Sequence, residues 1–387
     1  MLRLRLPLPR FISAGEVFAG NGCLGALRAL DAARAVVLCS RSLLRDPRLA
    51  EKIPAAIQTH EVLVLEAPAG EPDLAKLQPA LARVAAFRPD WIVAIGGGSV
   101  LDTGKLLWIF YEHPDADLAR LLRPFGLPPL RGKARFVAVP TTAGTGSEVS
   151  STAIFSDETG GKLAIVAHDL LPDVVILDPG LTVGVPPPVV AAAGLDALAH
   201  ALEGYVSKFS NPLADTFAET AARILFRVLP GTWAQPDDPG LRLEAMHAAM
   251  MAGWVQNLKV PGIGHAITHQ LGRFGVAHGR ACGALLGAAI AVNGEDPATR
   301  AKYDRLAAAL GLTDCAGLQA AVADLRAKVG EDRPLGAYLA GGTRAWRTGL
   351  ETITQGALRD ACARANPRTV DAALIAAVLA AADETPR

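Results

Sequence analysis

The 387-residue chain is poor in what would mark a secreted, membrane-spanning or nucleic-acid-binding protein. It has five scattered cysteines (Cys23, Cys39, Cys282, Cys315, Cys362), an odd number with no C-x-x-C pair. This argues against a disulfide framework and against a thiolate zinc site. Charge of one sign is not in excess: 38 Lys and Arg balance 38 Asp and Glu, so a basic footprint for nucleic acid or an anionic membrane is missing. No apolar run approaches the roughly 20 residues that cross a bilayer. The longest nearly apolar stretch, Ala281 to Val292, reads as a buried helix. The opening MLRLRLPLPR alternates Leu and Arg without a continuous apolar core, so it reads as a first strand rather than a signal peptide. These absences leave a cytoplasmic protein whose partner is a small, weakly charged molecule.

What is present has a clear rhythm. Short apolar runs at Ala35–Cys39, Val62–Leu65 and Trp91–Ile95 alternate with helical patterns such as Asp73 to Phe87, which implies βαβ units and a parallel sheet. Further strand-like runs follow at Arg135–Val139, Ala153–Phe155, Leu163–Val166 and Val174–Leu177. After Val185-Pro186-Pro187-Pro188 the character changes to Ala- and Leu-rich segments of helical period. The expectation is an α/β domain over residues 1–183 and a helical domain over 184–387.

Two loops stand out. Trp91–Ile95 runs into Gly96-Gly97-Gly98-Ser99, and a helical pattern starts at Val100. A glycine-rich turn between strand and helix lets backbone N–H groups approach a phosphate, although a purely structural tight turn has the same composition. Asp102 is placed to cap the helix or complement its dipole. The second loop, Pro140-Thr141-Thr142-Ala143-Gly144-Thr145-Gly146-Ser147-Glu148, offers hydroxyls suited to a ribose, a phosphate or a substrate oxygen. An ordinary polar loop is the alternative there.

The segment Val189 to Val206 is apolar nearly all round, which marks a buried helix. Asp196 and His200 interrupt it at i and i+4, on one face with Glu203 and Ser207. A hydrogen-bonded Asp–His pair is one reading. Burying both groups is costly unless something charged pairs with them. Four of the eight histidines fall at 200 and between 265 and 278. By spacing alone His265 and His269 form the chelating pair, and His278 is a loop ligand or a bystander. Imidazoles plus one carboxylate suit Fe(II), Zn(II), Mn(II) or Co(II).

Taken together, GGGSVLDTGK, PTTAGTGSEVS, ILDPGLT, GLDALAHALEGYVS with NPLAD, GHAITHQLG with AHG, and the closing Asn366-Pro367-Arg368 resemble the iron-containing (group III) alcohol dehydrogenase family over essentially the whole chain. The resemblance implies a Rossmann-like α/β N-terminal domain, an all-α C-terminal domain and an active site in the cleft between them. It implies NAD(P)-linked interconversion of a small primary alcohol and its aldehyde, with Fe(II), or alternatively Zn(II), on Asp196, His200, His265 and His278. His269 then becomes a candidate for proton relay or substrate contact. Gly96, Gly97, Gly98 and Ser99 fall on the phosphate loop, and Thr141, Thr142 and Thr145 fall on the nicotinamide side. Asp102 and Lys162 also approach the cofactor. A homodimer is expected.

The sequence also departs from the family. One residue fewer separates His269 from His278. Arg273 and Arg280 make the pocket more cationic than an alkanol requires, so an anionic aldehyde is one expected substrate, with Ser150 and Gln256 as further contacts. Ser40 stands where NAD-preferring relatives often carry Asp, and Arg41 follows it, which leans the cofactor toward NADPH over NADH. Three rivals remain: a metal-independent enzyme resembling maleylacetate reductase, a lyase of dehydroquinate-synthase type, and a non-catalytic nucleotide-binding protein.

Overall fold

Val, Ile, Leu and Ala fill the strands of one sheet without polar alternation, as a sheet covered on both faces demands. In the computed structural model, which describes residues 12–58, 61–157 and 161–384, the strands are β1 (Glu16–Ala19), β2 (Arg34–Cys39), β3 (Glu61–Glu66), β4 (Trp91–Gly96), β5 (Arg135–Pro140), β6 (Thr152–Ser156), β7 (Lys162–Val166) and β8 (Val174–Leu177). The strand expected within the first ten residues lies outside the described residues. Six strands form a sheet in the order β1-β8-β5-β4-β2-β3, and every pairing is parallel. The chain runs from β2 outward to β3 and returns to place β4 on the other side of β2. The strand order therefore reverses between β2 and β4, where a crevice opens at their C-terminal ends.

β6 and β7 stand apart as an antiparallel hairpin. The short link between them leaves no room for the crossover that a parallel pairing needs. After β4 comes α1 (Gly98–Glu112), two residues longer at each end than the sequence pattern suggested.

Beyond β8 the described chain is helical or loop. The helices that build the site are α2 (Pro187–Val206), α3 (Pro212–Ala234), α4 (Pro239–Lys259), α5 (Ile263–Leu271) and α6 (His278–Asn293). Pro opens α2, α3 and α4, and the Asn211 and Asp238 side chains cap α3 and α4. Among the described residues α2 is the one helix long and apolar enough to cross a bilayer, yet 78% of its apolar window is buried in the protein. It is the axis of the helical half, enclosed by α3, α4 and α6.

Glycines set how close these neighbours come. A Cβ on Gly279 would sit 2.2 Å from the Ala192 carbonyl oxygen, and one on Gly283 would sit 2.7 Å from Leu195 Cδ1. This close approach draws the start of α6 against the face of α2 that carries Asp196.

Candidate active site

α2 presents Asp196, His200 and Glu203 inward, all at most 3% exposed. His265 is in the first turn of α5, and His278 is the first residue of α6. Asp196 Oδ1 lies 3.4 Å from His278 Nε2, 3.5 Å from His265 Nε2 and 4.0 Å from His200 Nε2. It has no hydrogen-bond partner. The shorter loop before His278 does not pull that ring away, because a 3₁₀ turn at Gly272–Phe274 and left-handed Gly275 return the chain to α6. A buried carboxylate oxygen ringed by imidazole nitrogens, none in hydrogen-bonding geometry, fits the outline of a cation site. Burial holds the His200 imidazole down to about 4 and the His278 imidazole well below its ordinary value. The lowering favours the neutral ring, the form that donates a lone pair.

Sulfur was not expected at this site, yet Cys282 Sγ stands 3.7 Å from His265 Nε2 and 3.6 Å from His278 Nε2. The signal that could have found it is its i+4 spacing from His278 on one helix face. Burial pushes its thiol up to about 11.

Glu203 and Asn366 hold the start of α5. Glu203 Oε2 accepts from the Gly262 amide at 2.7 Å, and Oε1 accepts from His265 Nδ1 at 3.0 Å. Asn366 Oδ1 accepts from the Ile263 amide at 3.1 Å. Glu203 thereby fixes the tautomer of His265 and aims Nε2 at Asp196. Gly264 is required by this contact, since a Cβ there would lie 2.5 Å from Glu203 Oε1.

His269 turns elsewhere. Its Nδ1 donates to Asp360 Oδ2 at 2.7 Å, and its ring stacks on His278 with centroids 5.3 Å apart. Burial acts to raise Asp360, but the facing His269 and the Cys362 amide outweigh it and hold the carboxyl below its usual range.

The glycine loop and the threonine loop meet at the C-terminal ends of β4 and β5. The Thr141 amide donates to the Gly96 carbonyl at 2.9 Å, and a Cβ on Gly98 would strike the Thr145 side chain at 2.6 Å. Gly97 precedes α1, whose N-terminus carries no side-chain cap and no acidic residue in its first turn. An uncapped set of amides at a helix start is a ready phosphate cradle. Asp102 does not serve as the cap: its Oδ1 accepts from Ser147 Oγ at 2.5 Å and its Oδ2 from the Ile154 amide at 3.3 Å. Beside it, fully buried Lys105 donates to the carbonyls of Ser147, Ser150 and Thr152, each at 2.8 Å. Sequence reasoning passed over this lysine. Ser40 lies at the end of β2, its amide donating to the Ile95 carbonyl at 3.2 Å, and Arg41 Nε pairs with Glu66 at 2.5 Å.

Residues 14–179 match the family "Iron-containing alcohol dehydrogenase", and residues 190–382 match "Fe-containing alcohol dehydrogenase family, C-terminal". The chain belongs to the iron-containing alcohol dehydrogenase family. It is 34% identical to a 1-propanol dehydrogenase of Citrobacter freundii over 94% of this chain and 97% of that one. It is 30% identical to an NADPH-dependent butanol dehydrogenase of Clostridium saccharobutylicum over 95% of each. The iron-containing alcohol dehydrogenase structure from Thermococcus thioreducens superposes with a TM-score of 0.89 at 29% identity, covering 96% of this chain and 99% of that one. Like these relatives, the chain is an oxidoreductase acting on CH–OH groups.

As an iron-containing alcohol dehydrogenase, the chain needs a substrate entrance. A cleft of about 460 Å³ opens between the β6–β7 hairpin and the loop leading into α6. Lys162, Glu71, Thr268, Arg273 and His278 line it. Lys162 Nζ pairs with Glu71 at 3.4 Å. Three residues expected at this pocket, Arg280, Ser150 and Gln256, are not among those lining the cleft. Arg280 points away and is gripped by Glu331, with Nε at 2.9 and 3.0 Å and Nη2 at 2.7 Å from its carboxylate oxygens. Ser150 spends its hydroxyl on Lys105 and on the Thr152 carbonyl. Gln256 is partly buried on α4 and is not among the residues lining the cleft.

Proposed function

We propose that the chain interconverts a short primary alcohol and its aldehyde with a nicotinamide dinucleotide as hydride partner and a divalent metal held by Asp196, His200, His265 and His278. The observation that carries this reading is Asp196 Oδ1, buried and unpartnered among three imidazole nitrogens. When bound, the ion supplies Lewis acidity toward the carbonyl or alkoxide oxygen, and the dinucleotide supplies or accepts the hydride. Imidazole and carboxylate donors take Fe(II) and Zn(II) alike.

The chain's own residues do the rest. Gly96 to Ser99, at the uncapped start of α1, take the pyrophosphate. Thr141, Thr142 and Thr145 face the nicotinamide end. Asp360 accepts only, so it fixes His269 Nδ1 as the protonated nitrogen and leaves Nε2 to hold or release the proton exchanged with the substrate oxygen. The cofactor in this reading is NADPH, since Ser40 raises no carboxylate against a 2′-phosphate and exposed Arg41 can leave Glu66 at small cost. Arg273 alone of the two arginines faces the cleft, so an anionic aldehyde, if favoured, meets this side chain. Pairing of two copies along the described outer strand β1, where Val17 and Phe18 are exposed, accords with a homodimer. Residence in the cytoplasm belongs to the same reading.

Steady-state oxidation of NADPH and NADH with aldehydes from acetaldehyde to hexanal, and with carboxylate-bearing analogues, tests it. Reduction with a higher kcat/KM for NADPH is expected. A protein that reduces none of the aldehydes with either cofactor overturns the reading.

A further inference from the structure

The proposed function makes no use of the thiol at Cys282, yet this is where the site departs from a carboxylate and three imidazoles. Asp196 Oδ1, His265 Nε2, His278 Nε2 and Cys282 Sγ all lie within 4.8 Å of one another. The sulfur is 3.7 and 3.6 Å from the two nitrogens, and the carboxylate oxygen is 3.5 and 3.4 Å from the same two. Around one tetrahedral ion, with nitrogen and oxygen donors at about 2.0–2.1 Å and a thiolate at about 2.3 Å, the N to O edge is about 3.4 Å and the N to S edge about 3.6 Å. The four measured edges agree with those lengths to about 0.1 Å. His200 Nε2 is set back, 4.0 Å from Asp196 Oδ1 and outside the mutually close group. Asp196, 2% exposed and with Oδ1 unpartnered, is aimed into the same space.

We propose that in this chain Cys282, in place of the set-back His200, completes the metal ligand set with Asp196, His265 and His278, and that the sulfur moves the site's preference from iron toward zinc and cobalt. The inference rests on the metal-site reading above. On binding, the Sγ–H bond breaks, the sulfur electron pair forms the bond to the cation and the proton leaves to solvent. No atom changes oxidation state. The soft donor favours the thiolate-binding metals over the hard-donor ones. The position at i+4 from His278 on α6 makes the two residues one rigid chelating pair.

The test is anaerobic titration of the full-length apoprotein with Co(II). A bound cobalt with tetrahedral ligand-field bands and an intense near-ultraviolet thiolate-to-cobalt transition is expected. Cys282→Ala is expected to keep the cobalt, lose that transition and weaken zinc binding by on the order of tenfold or more. Cys362→Ala, which removes the thiol beside Asp360, is expected to retain the transition. X-ray absorption of the wild-type zinc protein gives a readout that needs no variant, with a sulfur scatterer expected at about 2.3 Å. Cobalt bound without the charge-transfer band, or zinc with nitrogen and oxygen scatterers only, overturns the thiolate ligand and leaves the metal site standing. Failure to bind cobalt or zinc at all overturns both.

Discussion

His269 stands one helical turn after His265, and spacing alone makes the two a chelating pair. Nothing in the periodicity could reveal Asp360, 91 residues later, which accepts a hydrogen bond from His269 Nδ1 and orients the ring for the proton-relay role proposed above. His269→Ala is therefore expected to lower kcat by about 10²–10⁴ while the metal content stays the same, as read by single-turnover kinetics and elemental analysis. Asp360→Asn acts through His269 and should lower kcat less, with KM little changed. Because the Asp360 carboxyl sits below its ordinary value, its stabilising contribution is complete above about pH 4 and is lost as pH falls through the folded value. Melting curves should show wild type losing its advantage over Asp360→Asn below that pH. Arg280 is a contrasting case, because the sequence cannot show that Glu331 holds it. Arg280→Ala leaves a carboxylate on a residue only 4% exposed without its partner. Chemical denaturation should register a loss of roughly 1–3 kcal/mol, whereas the preference among aldehydes should not move.

At the scale of elements, the buried strands β2, β4, β5 and β8 were legible because each is a continuous apolar run. The start of β1 was not, because Glu16-Val17-Phe18-Ala19 is four exposed residues whose pairing with β8 is decided 158 positions away. The hairpin β6–β7 was readable as two strands but not as a separate ribbon, since Lys105 and Asp102 of α1 fix its approach through contacts that leave no local pattern. Lys105→Met should loosen the loop from Ser147 to Thr152. Fluorescence titration should then show weaker NADPH binding, with metal stoichiometry intact. The site histidines depend on glycines in the same way. Gly264→Ala drives a methyl into Glu203, which should cost roughly 1–3 kcal/mol by denaturation and reduce bound metal, because Glu203 aims His265.

For the whole molecule, the C-terminal end of β4 carries the uncapped start of α1, and the helical half supplies the carboxylate and the imidazoles around it. The hairpin and the loop before α6 border the cleft between them. Three of the four ligands proposed from the resemblance converge closely and His200 stands slightly back. The i+4 spacing of Cys282 from His278 becomes meaningful only once α6 is packed against α2 and brings the thiol to Asp196. In the proposed function, this chain's chemistry needs a cation held at Asp196. Metal analysis of the purified protein, with aldehyde-dependent NADPH oxidation followed through chelation and metal re-addition, tests it most directly. About one divalent ion per chain, activity lost on chelation and activity restored on return of the metal are expected. Full turnover by protein shown to be metal-free would contradict it.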